Sequence, residues 1–308
     1  MSLDAVIDSL LSPIADKVSG IIFSYITING VKVEFLIALL IFAAIYFTIR
    51  TGFIGIWGFK HAIKLITNNY EHNNPNGYQR KKKGELSSFQ ALSATISASA
   101  GIGNVAGSAA AVSIGGPGVI FWMIIAGFFS MALKFSEVLL GVKFRSTNPD
   151  GSVSGGPMYY ILVGLRGKYS QKFAPFLAKT YAVCCIFAMI GGWNLFQINA
   201  MTAQFTEVTG GENSFFANNG WILGTIVAVI TWFTIIGGIK AIGKFTSKVT
   251  PVMCSLYVAS AFLVCLVNIH HLPETLVLIV KEAFSPRAMT GGAFACLLWG
   301  FRRAMFAN

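Results

Sequence analysis

Residues 91–111 read ALSATISASAGIGNVAGSAAA, and this stretch decides how the chain folds. It is long and apolar enough for a membrane-spanning helix, which takes about 20 residues. Gly101 and Gly103 stand two positions apart in its middle, and Asn104 follows them. Glycine destabilises a helix interior, and an Asn facing lipid is costly. Both are tolerated where a spanning helix unwinds to line a cavity, so the stretch predicts a broken helix.

The predicted break would free backbone groups on both of its sides. Amide N–H groups at the start of the second half-helix suit an anionic carboxylate, and carbonyls at the end of the first half suit Na⁺. The alternative is tight helix packing through small residues. Packing accounts for the other small residues of the stretch, but not for the double glycine followed by Asn. A binding site at residues 101–104 is therefore the favoured interpretation.

Composition excludes several classes of protein. The 308 residues are 55% hydrophobic and 11% charged, whereas ordinary soluble domains carry about 25% charged residues. Disorder is excluded because it requires low hydrophobicity. The sequence has no C-x-x-C, H-E-x-x-H or G-x-S-x-G motif, so neither an enzyme nor a transition-metal site is predicted. The expectation is an all-α, polytopic membrane protein that does not bind nucleic acid.

Apolar runs and basic residues together predict the topology. Seven spans are expected at residues 33–49 (continuing toward 59), 89–114, 119–142, 176–204, 221–239, 251–269 and 289–306. Residues 274–284 are too short to span and are predicted to lie at the interface. With residues 50–89 in the cytoplasm, the inner segments hold 17 Lys and Arg and the outer ones 4. This split predicts a multi-pass plasma-membrane protein with its N-terminus outside.

Two further groups of polar residues lie in apolar runs. In the sequence WNLFQIN at residues 193–199, Asn194 and Gln197 fall close to one helix face, which Met201 and Gln204 extend. These amides either join helices by hydrogen bonds or line the site, and their spacing does not decide between these two roles. Lys134 and Glu137 are one turn apart and can pair, which predicts a structural or gating role.

These residues resemble the alanine/glycine:cation symporter family, also called sodium:alanine symporters. The resemblance begins at residue 89 and extends to the end of the chain. It is carried by FQALS (89–93), GIGNVAG (101–107), GGPG (115–118), FWM (121–123), KFSE (134–137), GGPMYY (155–160), NLFQIN (194–199) and RRAMFAN (302–308).

The resemblance implies Na⁺-coupled, or in some members H⁺-coupled, uptake of alanine or glycine. It also implies the five-plus-five inverted-repeat (LeuT-like) transporter fold. Five spans from residue 89 to residue 269 would form the first repeat. The second repeat is then expected to be largely missing, as in a C-terminally truncated member. The family usually has Thr at the place of Ile102 and Gly at the place of Trp193, and both differences would change the pocket.

The expected sites follow from the residues and the resemblance together. The substrate, a small zwitterionic amino acid, is expected at Ser99, Ala100, Gly101, Ile102, Gly103, Asn104, Trp193, Asn194 and Gln197. The coupling ion is expected at Ala100, Gly101 and Asn104, with no other cofactor. Residues 1–32 are expected to form an extracytoplasmic amphipathic segment, and residues 33–308 the transmembrane transporter domain. The alternative function is a non-transporting membrane scaffold or partner-binding fragment of such a transporter.

Overall fold

The structure, a computed structural model, is mostly helical, as the sequence predicts. It describes residues 12–13, 16–18, 20, 22–28, 31–67, 86–149, 152–166, 172–188 and 194–285. The predicted span at 289–306 and most of the N-terminal segment lie outside these residues. The chain divides into two compact units. Unit 1 comprises residues 1–56, 107–134 and 268–308, and unit 2 comprises residues 57–106 and 135–267.

The elements follow in chain order. They are β1 (Tyr25–Ile28), β2 (Val31–Glu34), α1 (Phe35–Arg50), α2 (Ile54–Trp57), α3 (Phe59–Ile66), α4 (Ser88–Ser99), α5 (Ile102–Gly115), α6 (Gly118–Lys143), β3 (Ser146–Thr147), β4 (Val153–Ser154), α7 (Pro157–Gly164), α8 (Phe173–Ala188), α9 (Asn194–Val208), α10 (Phe215–Asn218), α11 (Gly220–Ile236), α12 (Gly238–Val267) and α13 (Leu272–Ala283). Two short 3₁₀ turns, Gly211–Asn213 and Ile269–His271, precede α10 and α13.

The hairpin β1–β2 in unit 1 was not predicted by the sequence analysis. Its strands pair antiparallel with Tyr25 opposite Glu34 and Ile28 opposite Val31. The two residues between the strands are Asn29 and Gly30. Asn-Gly between two β-branched runs is a strong local signal for a hairpin, and it could have revealed this one. Because β2 extends to Glu34, the first helix begins at Phe35, two residues after the predicted start of the first span.

Unit 1 is held together by α1 packed on α6. Ala44 and Ala126 are fully buried where the helices meet, and larger side chains surround them: Leu40, Ile41, Trp122, Ile125, Phe129 and Leu133. Thr48 is also buried, and its hydroxyl donates to the Ala44 carbonyl at 2.7 Å. Alanines let helix backbones approach closely, so dispersion contacts extend along the interface.

The end of α13 docks on the start of α6 within the same unit. The Trp122 indole N–H donates to the Ala283 carbonyl at 3.0 Å. Phe284 lies edge-to-face with Phe121 and Trp122, at ring-centroid distances of 5.2 and 5.6 Å. Gly118 permits this contact, because a Cβ there would lie 2.5 Å from the Ala283 nitrogen. The 12-residue α13 matches the segment predicted to be too short to span.

Unit 2 is built around α4 and α12, which pack along each other. Helix α4 begins with a capping box, in which the Ser87 hydroxyl accepts from the Gln90 N–H and the Gln90 side chain accepts from the Ser87 N–H. The helix that contains the predicted sixth span begins before it, at Gly238, so Lys240, Lys244 and Lys248 are helical.

Length and composition identify the helices that could cross a bilayer. Among the described residues, α6 with 26 residues and α12 with 30 meet the requirement. Helices α1, α8 and α11 are apolar but shorter, at 16 or 17 residues. The predicted run 176–204 is covered by α8 and α9, and residues 189–193 between them lie outside the described part of the chain.

Candidate functional site

The predicted break in the helix is present between α4 and α5. Helix α4 ends at Ser99 and α5 begins at Ile102, so Ala100 and Gly101 stand between the two helices. The Ala100 N–H still donates to the Ile96 carbonyl at 2.7 Å, and the Gly101 carbonyl accepts from the Asn104 N–H at 2.9 Å. The predicted break in the stretch 91–111 is therefore confirmed. The break is narrow, because residues 102–104 already belong to α5.

The Asn104 side chain bridges the two sides of the break. Its amide nitrogen donates to the backbone carbonyl of Ser99, the last residue of α4. Carbonyls in the last turn of a helix lose their intrahelical partners, and this bond satisfies one of them. The Ser99 hydroxyl donates in turn to the Thr95 carbonyl at 2.9 Å. Asn104 therefore has a structural contact that the sequence did not predict.

Gly101 brings the break next to the second group of amides. A Cβ built on Gly101 would lie 3.2 Å from the Gln197 side-chain nitrogen and 3.7 Å from its side-chain oxygen. A side chain at position 101 would therefore crowd the Gln197 amide. Both residues belong to unit 2, and Gln197 lies on α9 with its side chain exposed. The structure thus joins two sequence-predicted groups at one place.

Other predicted site residues are only partly described. Ile102 and Gly103 form the first turn of α5, and Asn194 begins α9, but their side chains lie outside the described part of the structure. Trp193 lies outside the described residues altogether. Ser99 and Ala100 are exposed beside the break. The described members of the site are therefore Ser99, Ala100, Gly101, Asn104 and Gln197.

The break and the neighbouring amide offer polar groups of two kinds. The start of α5 carries N–H groups with the positive end of the helix dipole, which favour an anion. The end of α4 carries carbonyl oxygens, which suit a hard cation. Helices α4, α5 and α9 contain no Lys, Arg or His. An anion held there would therefore rely on backbone amides, on the Gln197 amide or on a bound cation.

The matches with known proteins cover nearly the whole chain. A model of the sodium:alanine symporter family matches residues 19–308. This chain belongs to the sodium:alanine symporter family. The resemblance drawn from its motifs is thereby confirmed. This is a family of transporters and not a class of enzymes.

Individual relatives of this family come from bacteria and an archaeon. The chain is 33% identical over 275 residues to the sodium/alanine symporter AgcS of Methanococcus maripaludis, covering 89% of this chain and 57% of the relative. It is 33% identical over 277 residues to the probable sodium/glutamine symporter GlnT of Bacillus subtilis, covering 89% and 53%. An uncharacterized transporter of Haemophilus influenzae is 35% identical over 283 residues, covering 89% and 56%. The chain thus spans about half the length of the curated relatives it matches.

Tyr160 of the sequence GGPMYY lies close enough to Glu137 of KFSE to be affected by its charge. Lys134 is half-buried on α6, whereas Glu137 one turn later is exposed, and their pairing stays a prediction. Tyr160 lies on α7, in a segment expected outside the spans. Its burial and, second, the negative charge of Glu137 raise the pKa of the Tyr160 phenol.

An open groove in unit 1 was not singled out by the sequence. Its volume is about 690 Å³, and it lies between α5 and α6, lined by Ser108, Ala109, Val112, Ser113, Ile120, Met123 and Ile124. The Ser113 hydroxyl donates to the Ala110 carbonyl of its own helix. A zwitterion needs several convergent polar groups. The mainly apolar groove offers few, so it does not compete with the break as a substrate site.

Proposed function

We propose that this chain is the site-bearing part of a Na⁺-coupled symporter for a small neutral amino acid, alanine or glycine. The observation that carries the proposal is the break at Ala100 and Gly101, with the Gln197 amide directly beside it. Family membership supports coupled symport, and one relative is named a sodium/alanine symporter. Another relative is named a probable sodium/glutamine symporter. The preference for a small substrate side chain is therefore part of the proposal.

The substrate carboxylate is proposed to bind the N–H groups of Ile102 and Gly103 at the start of α5. Helices α4, α5 and α9 carry no basic side chain, so backbone amides are the available donors there. Asn104 and Gln197 would orient the ligand by hydrogen bonds. Trp193 and Asn194 are proposed to complete the pocket, and Trp193 would reduce its volume. A small pocket favours alanine and glycine over larger amino acids.

The coupling ion is proposed to bind oxygen atoms on the other side of the break. Ala100 and Gly101 would contribute carbonyls, and Asn104 its side-chain oxygen. The Ser99 carbonyl already accepts the Asn104 amide, which holds these atoms near one another. Na⁺ is the proposed ion, as the family description suggests, and H⁺ is the alternative. Lys134 and Glu137 are proposed to act as a structural or gating pair.

The membrane arrangement is part of the same proposal. Residues 33–308 would form a multi-pass transmembrane domain in the plasma membrane, and residues 1–32 would lie outside the cell. The 17-to-4 distribution of basic residues supports this orientation. The proposed architecture is the five-plus-five inverted repeat, with the first repeat running from α4 to α12. The described helices α6 and α12 are long enough for spans of that repeat.

Binding of radiolabelled alanine to the purified chain in lipid nanodiscs tests the proposal. We expect saturable binding that is lost when choline replaces Na⁺ at equal ionic strength, and that excess glycine displaces. Gln197→Ala should weaken binding at least tenfold, about 1.4 kcal/mol. Asn199→Ala is the control, because this exposed amide lies on α9 two residues from Gln197 and therefore on another side of the helix.

Other results of the alanine-binding experiment would contradict parts of the proposal. Alanine binding that responds to pH but not to Na⁺ would replace Na⁺ by H⁺ as the coupling ion. Equal losses for Gln197→Ala and Asn199→Ala would contradict a binding site at the break. A folded chain that binds neither alanine nor glycine would favour the non-transporting scaffold.

A further inference from the structure

The first three turns of α12 carry a row of exposed lysines. Lys240, Lys244 and Lys248 follow one another at intervals of four residues, so they lie on the same side of the helix. The adjoining side of the helix is packed. A Cβ on Gly243 would lie 2.5 Å from the Leu86 Cδ2 and 3.5 Å from the Gln90 Cβ. The contact with α4 therefore fixes which side of α12 carries the lysines outward.

These lysines have few acidic groups to balance them. Helices α3, α4 and α12 contain no Asp or Glu. Across the described ranges, which omit residues 68–85, the structure gives none of the three lysines an ion-pair partner. Three like charges within about 12 Å of helix repel one another. A bound anion would relieve this repulsion.

The position of the row along the helix points to the headgroup layer of a membrane. Residues 249–267 of α12 carry no charge, and at 1.5 Å per residue they cover about 28 Å. The hydrocarbon core of a bilayer is about 30 Å thick. When this stretch spans the core, Lys248 lies at its edge and Lys244 about 6 Å farther out. That is the depth at which lipid phosphates lie.

Apolar side chains lie beside the lysines and continue toward the core. Phe245 and Val249 are 45% exposed, and Leu256 is 65% exposed. On a helical projection they occupy the arc next to the lysines and away from α4. Helix α3, which also packs on α4, repeats the arrangement, because exposed Lys60 and Lys64 lie next to exposed Phe59 and Ile63. Such amphipathic surfaces are typical of a membrane interface.

We propose that Lys240, Lys244 and Lys248 form a binding site for the headgroup of an anionic phospholipid, whose acyl chain lies along Phe245, Val249 and Leu256. Adjacent lysines are about 6 Å apart along the axis, so two of them can flank one phosphate. Basic residues near an anionic membrane surface each contribute measurably to its binding. The inference rests on α12 spanning the membrane and does not depend on the alanine site.

Spin-labelled lipids test this site in the full chain. The chain is reconstituted in phosphatidylcholine vesicles, and the motionally restricted fraction of spin-labelled phosphatidylglycerol is compared with that of spin-labelled phosphatidylcholine. We expect wild-type protein to prefer phosphatidylglycerol, and the variant K240Q/K244Q/K248Q to lose at least threefold of that preference. The variant K143Q/R145Q/R166Q is the control, because it removes the same charge from exposed positions in unit 2.

The proposal fails if K240Q/K244Q/K248Q keeps the wild-type preference, or if both variants lose it equally. Equal loss of the preference in both variants would mean that it depends on the total charge of the protein and not on the row of lysines in α12. Unchanged association with phosphatidylcholine and unchanged helical circular dichroism verify that each variant is folded. Displacement of the lipid preference by millimolar inorganic phosphate at constant ionic strength would assign the site to a free anion and overturn the lipid assignment. Alanine binding measured on the same samples separates this result from failure of the symporter proposal.

Discussion

At the scale of single residues, Asn104 connects the two halves of the broken helix. Its side-chain amide donates to the Ser99 carbonyl across the break. We expect Asn104→Ala to weaken Na⁺-dependent alanine binding at least tenfold, about 1.4 kcal/mol, measured with radiolabelled alanine in nanodiscs. Asn104→Asp should cause a similar loss, because a carboxylate cannot donate to that carbonyl.

Asn199→Ala is the control for Asn104, since Asn199 is an exposed amide on α9. It should bind alanine as the wild type does. Wild-type affinity in Asn104→Asp would show that the bond to Ser99 does not shape the site.

Gly101 is the second residue on which the site depends. An added Cβ would lie 3.2 Å from the Gln197 side-chain nitrogen, so Gly101→Ala must displace that amide by a few tenths of an ångström. We expect about fivefold weaker alanine binding, about 1 kcal/mol, and a larger loss for Gly101→Leu. Gly127 on α6 is the matched control, because nothing lies within 4 Å of a Cβ added there. Equal effects at the two positions would contradict the role of the Gln197 contact.

At the scale of secondary-structure elements, the docking of α13 on α6 depends on one hydrogen bond and three rings. Trp122→Phe removes the 3.0 Å bond to the Ala283 carbonyl but retains an aromatic ring at the same position. A hydrogen bond of this kind contributes about 1 kcal/mol. We therefore expect the amides around Ala283 to exchange hydrogen about fivefold faster, measured by mass spectrometry. Gly118→Ala should loosen α13 further, because its methyl group would meet the backbone at Ala283.

Trp221→Phe serves as the control for this element, since Trp221 is 69% exposed on α11. In this variant, hydrogen exchange of the amides around Ala283 should match that of the wild type. If Trp122→Phe also leaves that exchange unchanged, the bond does not hold α13.

At the scale of the whole molecule, the orientation in the membrane can be measured directly. We expect Asn213→Cys to react with a membrane-impermeant maleimide in intact cells, and Asn148→Cys to react only after permeabilisation. The reason is the excess of basic residues on the segments assigned to the cytoplasm. Native cysteines are replaced by Ala in both variants. The reverse labelling pattern would invert the proposed topology.

The sequence by itself determined the class of the protein and the place of the helix break. Low charge and long apolar runs indicate membrane helices because uncompensated polar groups are costly in lipid. The pair Gly101 and Gly103 with Asn104 located the break to within a few residues, since glycine and Asn disfavour a continuous helix locally. The β1–β2 hairpin also has a local signal in Asn29 and Gly30, which the dominant apolar pattern concealed.

The tertiary structure decided which distant residues meet. Only the fold shows that Gly101 faces Gln197, that Asn104 caps Ser99, and that Trp122 holds Ala283. It also shows that Lys240, Lys244 and Lys248 belong to α12, which begins before the predicted span and packs against Leu86 at Gly243. Periodicity and composition report local preference, whereas contacts between separate helices depend on close approaches that local preference does not specify.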